Sequence, residues 1–317
     1  MPHISRRFSL YALSFALYAL LPHSTHAQAT ATGPSDEIVS RSASSSTNGA
    51  GPVGIVPLVR GFNASLGTSS QHDSSNGWSS VLTPGIAWRF NRYLAINASV
   101  PIYTYINIDE NKGTLLKPNY QYVPKHAVPG DTSLAVAFDA PFRPVSYSTT
   151  VSLGLPSGND TYGLGAGQVT YDFNNHFEKT FGFLTPDIEF GIGDSSSLVR
   201  TRVRKSYIAV GTLSHFQAGT SIDLPFNMSF EADAYEILPV SPDTIYSTTG
   251  SGKRKVTTVI GKTAAEDNGF NTNLDIPING HVTLSGFYNR SLRNRDDVAG
   301  FSFTFLLKAP PKIVDAR

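Results

Sequence analysis

Twelve stretches of about ten residues alternate large apolar side chains with small or polar ones, and the connections between them alternate too, one short and the next long. Side chains of an extended strand point to opposite faces in turn, so this alternation predicts strands whose two faces meet different surroundings. The strands are expected near 54–67, 78–90, 93–105, 131–140, 145–155, 167–173, 180–192, 206–224, 228–238, 269–278, 281–290 and 297–307. Tight connections are read at FNRY (Phe90–Tyr93), APFRP (Ala140–Pro144), FNNHFEK (Phe173–Lys179), LPFN (Leu224–Asn227) and PING (Pro277–Gly280), each carrying the Asn, Gly or Pro that hairpins use. Long connections are read at 68–77, 107–130, 156–165, 194–205, 239–268 and 291–297. The pattern predicts an all-β fold, an antiparallel transmembrane β-barrel of about 12 strands with short periplasmic turns and long extracellular loops.

The faces separate by chemistry. In SSVLTPGIAWRF, Leu82, Pro84, Ile86, Trp88 and Phe90 alternate with Val81, Thr83, Gly85, Ala87 and Arg89. In the last stretch, AGFSFTFLL, Phe301, Phe303, Phe305 and Leu307 alternate with Gly300, Ser302 and Thr304. A soluble sandwich also alternates, but its polar face meets bulk water and is rich in Lys and Glu. Here the polar face is mostly Gly, Ser, Thr, Asn and Ala, which suits a crowded barrel interior. The aromatic face is expected to meet lipid, with aromatic residues at strand ends forming interfacial girdles.

Composition agrees. Charged residues are 15% of 317, against about a quarter in a soluble domain, so something other than charge covers this surface. A net charge of +1 gives no reason to expect a nucleic-acid partner or a polybasic membrane anchor. The absence of cysteine excludes a disulfide framework and thiolate metal sites.

Arg6 and Arg7, the apolar run SLYALSFALYALL and the small residues of STHAQA predict a signal peptide over 1–27, cleaved before Gln28, and hence export to the bacterial outer membrane. The run is shorter than the roughly 20 residues of a membrane-spanning helix. Residues 28–52 are Ser, Ala, Thr and Gly with little to bury and read as a disordered leader. The barrel is expected over 53–307 and a C-terminal tail over 308–317.

The segments PGDTSLAVAFDAPF and YSTTVSLGLPSGNDTYGLGAGQVTYDF resemble an outer-membrane β-barrel transporter family linked to the MetA pathway of phenol degradation. The matching positions are Gly130, Asp131 and Leu134, then Gly154, Pro156 and Gly158, then Gly163, Gly165 and Gly167, with Ser157 where Thr is usual. The resemblance covers roughly 45 residues in motif detail. It implies a barrel in membrane lipid, inserted by the outer-membrane assembly machinery, with a small-molecule solute it does not name.

Chemical motifs fail on spacing. GLGAG is followed by a strand-like QVTYDF where a dinucleotide turn needs a helix, and VTTVIGKT has Val256 where a phosphate loop needs its first glycine. Beyond the signal peptide the histidines are His72, His126, His176, His215 and His281, too scattered for metal-ligand spacing. No catalytic, cofactor or metal site is predicted. Alternation instead turns Arg60, Arg89, Asp187, Glu189, His215, Glu231 and Asp233 inward as candidate lumen-lining residues, with Asp139 and Asp275 beside them. The acids are read first as partners of Arg60 and Arg89 that hold register, and second as a field favouring cations or hydroxylated solutes. The expected role is passive passage of small molecules, hydrophobic or aromatic compounds among them, without enzymatic chemistry. The alternatives are a structural or adhesion barrel with a plugged lumen, and an outer-membrane lipid hydrolase for which Ser214 and His215 offer the nearest pairing on a strand.

Overall fold

The computed structural model describes residues 60–74, 77–112, 119–141, 145–159, 162, 164–165, 169–193, 207–209, 212–240, 245–249, 256–260, 266–293 and 295–308. The expected signal peptide and leader, the start of the first strand, and residues 309–317 of the tail lie outside them.

The strands are β1 (Gly61–Asp73), β2 (Gly77–Arg89), β3 (Leu94–Ser99), β4 (Ile102–Asn111), β5 (Tyr120–Lys125), β6 (Val128–Pro129), β7 (Thr132–Pro141), β8 (Ser146–Leu155), β9 (Thr170–Glu178), β10 (Leu184–Gly193), β11 (Tyr207–Ala209), β12 (Leu213–Asp223), β13 (Ser229–Pro239), β14 (Ile245–Thr249), β15 (Val256–Ile260), β16 (Asp267–Pro277), β17 (Val282–Ser291) and β18 (Asp297–Leu306). β3 and β4 make one strand interrupted at Val100 and Pro101, the proline having no N–H to give a ladder. β5, β6 and β7 make its broken partner. The barrel strands pair antiparallel around the ring, with β10 beside β12 and β13 beside β16, and β1 pairs with β18, from Ser65 opposite Leu306 to Asp73 opposite Val298. The result is a closed barrel of 12 strands, from which β5 extends beyond the ring, paired with β4. β11, β14 and β15 form a separate three-stranded sheet.

Two of the turns at the rim where the barrel begins and ends are built alike. Asn91 Oδ1 accepts from the backbone N–H groups of Tyr93 and Leu94, and Asn279 Oδ1 accepts in the same way from His281 and Val282. The Asn side chain satisfies the N–H groups two and three residues on, and backbone bonds from Phe90 N–H to the Leu94 carbonyl and from Ile278 N–H to the Val282 carbonyl close each turn. Both chain ends of the barrel arrive at this rim, where the Lys308 N–H donates to Asn63 Oδ1 at 3.0 Å.

Three expected boundaries are corrected. The connection read as long at 68–77 is a hairpin, because β1 runs to Asp73 and β2 begins at Gly77. FNNHFEK is not a turn: β9 continues through Glu178, pairing with β10 from Glu178 opposite Asp187 to Asp172 opposite Gly193, and the turn follows at Lys179–Phe183. The stretch read as one strand over 206–224 is divided, with β11 in the small sheet and β12 beginning at Leu213.

The two faces differ as the alternation requires. Phe301, Phe303 and Phe305 are 47%, 40% and 48% exposed, and Leu66, Ile86, Trp88, Val136, Ile188 and Phe216 share the outer surface. The inward positions are polar and buried, among them Asn63, Thr83, Asn97, Gln217, Asn271 and Asn289. An apolar outside around a polar inside inverts the arrangement of a water-soluble protein.

Candidate functional site in the barrel interior

Charged side chains of the interior form three groups, each placed by strand register. Near the short-turn rim, Arg89 of β2 meets Asp139 of β7 at 2.5 Å, and its Nη1 donates to the carbonyl of Arg92 at 2.9 Å. Both side chains are buried, so the pair joins two strands that β3 separates and ties them to the Phe90–Tyr93 turn.

The second group spans β9, β10, β12, β13 and β16. His176 lies 3.6 Å from both Glu178 and Glu189, and Asp187, Glu189, Glu231 and Asp233 are all buried. Asn271 Nδ2 donates to Asp233 Oδ2 at 3.2 Å. Asp187, Glu231 and Asp233 each offer an oxygen within 4.8 Å of the others. Among the described residues none of these carboxylates is paired with Lys or Arg.

The third group lies further toward the long loops. His215 of β12 reaches across Gly191 of β10 to Asp172 of β9, at 3.0 Å between Nε2 and Asp172 Oδ1. The crossing needs glycine, because a Cβ at position 191 would overlap the imidazole. Tyr235 does the same over Gly269, its hydroxyl donating to Asp267 Oδ2 at 3.0 Å, while Ser291 Oγ donates to Asp267 Oδ1 at 2.5 Å.

Of the inward residues read from sequence, Arg89, Asp187, Glu189, His215, Glu231 and Asp233 are buried in these groups. Arg60 is not among them: it is exposed at the bend ahead of β1, where the alternation of that strand has not begun. Asp139 joins Arg89, so that pair holds strands together, whereas the remaining acids gather without a guanidinium. His176 was missed because NNH reads as turn. Ser214 and His215 do not pair, since neighbours on a strand face opposite sides; Ser214 Oγ donates to the Leu238 carbonyl at 3.2 Å while His215 turns to Asp172.

The motif positions also converge. Gly158 N–H donates to Asp131 Oδ1 at 2.9 Å, and Cβ atoms on Gly130, Gly158 and Gly165 would crowd Pro101, the Leu164 carbonyl and Asp131. Ser157 Oγ accepts from Thr132 N–H at 2.8 Å. The glycines thus let the connection after β8 fold onto the start of β7; Gly163 and Gly167 lie outside the described residues.

No family model matches the chain, and no curated protein matches it. Among solved structures it is similar to an outer-membrane channel of Pseudomonas putida F1, with a TM-score of 0.50 at 11% identity, over 80% of this chain and 97% of that one. The toluene transporter TodX of Pseudomonas putida gives 0.42 at 8% identity over 77% of this chain and 87% of its own. TbuX, a toluene transporter of Ralstonia pickettii, gives 0.42 at 8% over 78% and 89%. The fold is that of an outer-membrane β-barrel.

Proposed function

We propose that this chain is a passive outer-membrane channel for small molecules, without cofactor or covalent chemistry. The observation that carries the reading is the inverted barrel: apolar side chains such as Phe301, Phe303 and Phe305 are exposed on the outside, and the buried interior is polar and charged. A closed barrel satisfies all its ladder hydrogen bonds between strands, which is what the bilayer demands of a spanning sheet. Its working partners are membrane lipid and the outer-membrane assembly machinery, and its location is the outer membrane after removal of a signal peptide.

For the solute, the resemblance in Gly130, Asp131, Gly154, Pro156 and Gly158 supports aromatic or otherwise hydrophobic compounds, while an interior of carboxylates, amides and hydroxyls favours a hydrogen-bonding group. A small aromatic compound bearing a hydroxyl satisfies both. A second reading, a structural barrel with a plugged lumen, is favoured by one observation: interior side chains such as His215, Gln217 and Asp233 are 3%, 4% and 5% exposed, which leaves them little contact with an open water column.

Planar-bilayer conductance and solute-dependent liposome swelling of the refolded barrel separate the readings. Conductance, or uptake of phenol-like solutes above that of protein-free liposomes, is expected. A sealed barrel in both assays selects the structural reading, and ester hydrolysis in a lipase assay selects an enzyme.

A further inference from the structure

Gly219 of β12 stands in register with Asp187 of β10 on one side and Asp233 of β13 on the other. All three positions face the interior, and a Cβ at Gly219 would overlap Asp233 Oδ1. The Asp233 carboxylate therefore lies over the glycine, toward Asp187, in space that any other residue would fill. Asn271 holds Asp233 Oδ2 at 3.2 Å, so Oδ1 is the oxygen left over the glycine, and it is buried without a hydrogen-bond partner. Asp187 Oδ2 is buried and unpartnered as well, and Glu231 enters from the neighbouring inward position of β13.

The three carboxylates bring one oxygen each within 4.8 Å of one another. Oxygens on opposite sides of a cation bound at 2.3–2.6 Å are about 5 Å apart, so a single ion can touch all three. An observation outside the trio points the same way. Glu189, the next inward residue of β10, is 5% exposed, and its Oε2 faces His176 Nδ1 at 3.6 Å. His176 is thus shared by Glu189 and Glu178, and among the described residues no Lys, Arg or His stands at ion-pair distance from Asp187, Glu231 or Asp233. Buried carboxylates of this density are neutralised either by protons or by a bound cation, and oxygen donors of this kind select Ca²⁺, Mg²⁺ or Mn²⁺ over softer ions.

We propose that the barrel interior binds one oxygen-preferring divalent cation, Ca²⁺ for preference, between Asp187, Glu231 and Asp233. Calcium suits the site because it accepts irregular geometry and completes its shell with water. The ion joins β10 to β13 across β12 and cancels most of the charge the acids bring together.

The test is calorimetric titration of the full-length, chelator-treated barrel in detergent with CaCl₂, repeated with MnCl₂ under electron paramagnetic resonance. About one ion per barrel is expected, with a dissociation constant no weaker than the ~10⁻³ M of the weakest protein calcium sites. The double variant Asp187→Asn, Asp233→Asn is expected to lose at least about tenfold in affinity. It removes like-charge repulsion, so it should fold; heat-modifiable migration verifies that. Gly219→Ala, which keeps every carboxylate but displaces Asp233, is expected to weaken binding too, and Asp297→Asn at the rim is expected to leave it unchanged. A parent barrel with no saturable binding of either ion overturns the proposal and leaves protons as the neutralising species. Equal binding by parent and double variant overturns it also. Because no solute crosses a membrane in this measurement, either failure leaves the channel reading standing.

Discussion

Arg89 and Asp139, 50 positions apart in the chain, form an ion pair at 2.5 Å inside the short-turn end of the barrel. Removing one member strands the other as a buried charge, which costs about 3–5 kcal/mol, whereas replacing both by apolar residues of similar volume is often neutral. Arg89→Met and Asp139→Leu are each expected to lower the urea midpoint of the folded barrel strongly, and the double variant to recover most of the loss. Additive losses would show that the two side chains do not act as a pair.

Phe303 and Leu307 lie on the same outer face, Phe303 opposite Leu284 and Thr68 in mid-strand and Leu307 at the rim beside Ala64. Arginine on a lipid-facing surface costs about 2–4 kcal/mol at the bilayer midplane and about 0–1 near the interface. Phe303→Arg should therefore reduce the folded fraction in lipid far more than Leu307→Arg. Equal losses would contradict the assigned depth.

The chain contains no cysteine, so a single introduced thiol reports topology without background. Lys112→Cys sits at the tip side of the β4–β5 hairpin and Asn279→Cys in a short turn. In intact cells a membrane-impermeant maleimide should label the first and spare the second; the reverse would turn the barrel over in the membrane.

Gly191 and Gly286 make a controlled pair. A Cβ at Gly191 would overlap the His215 ring and the Phe173 carbonyl, while one at Gly286 meets nothing within 4 Å. Gly286→Ala should leave stability unchanged or raise it by about 0.4–1 kcal/mol through the unfolded chain. Gly191→Ala should destabilise the barrel and expel His215 from Asp172, seen as a changed imidazole resonance by NMR.

What could be read before the structure was the facing of side chains, since alternation alone separates Phe301, Phe303 and Phe305 from Gly300, Ser302 and Thr304. Strand ends were harder. In β1 the segment Thr68–Asp73 has Thr, Ser and His on its outer positions, so it lacks the apolar mark by which the lipid band identifies a strand. In β9 the pair Asn174 and Asn175 imitates a turn, although Asn175 lies on the outer side, accepting from Tyr147 Oη at 2.8 Å. The meeting of Asp187 with Asp233 was out of reach for a different reason: alternation tells which side chains enter the interior, and not which of them converge over a glycine on the strand between.

The seam between β1 and β18 joins partners such as Asn63 and Lys308 that are 245 positions apart, whereas most other seams join neighbours in the chain. Hairpins of the latter kind can assemble as soon as their two strands exist, but this ladder must wait for the last strand. Until then the sheet is open, with β1 and β17 as raw edges able to recruit a foreign strand. A chain cut short before Asp297 would keep most of its lipid-facing surface and still be unable to seal itself, so the final strand governs when the molecule stops being adhesive.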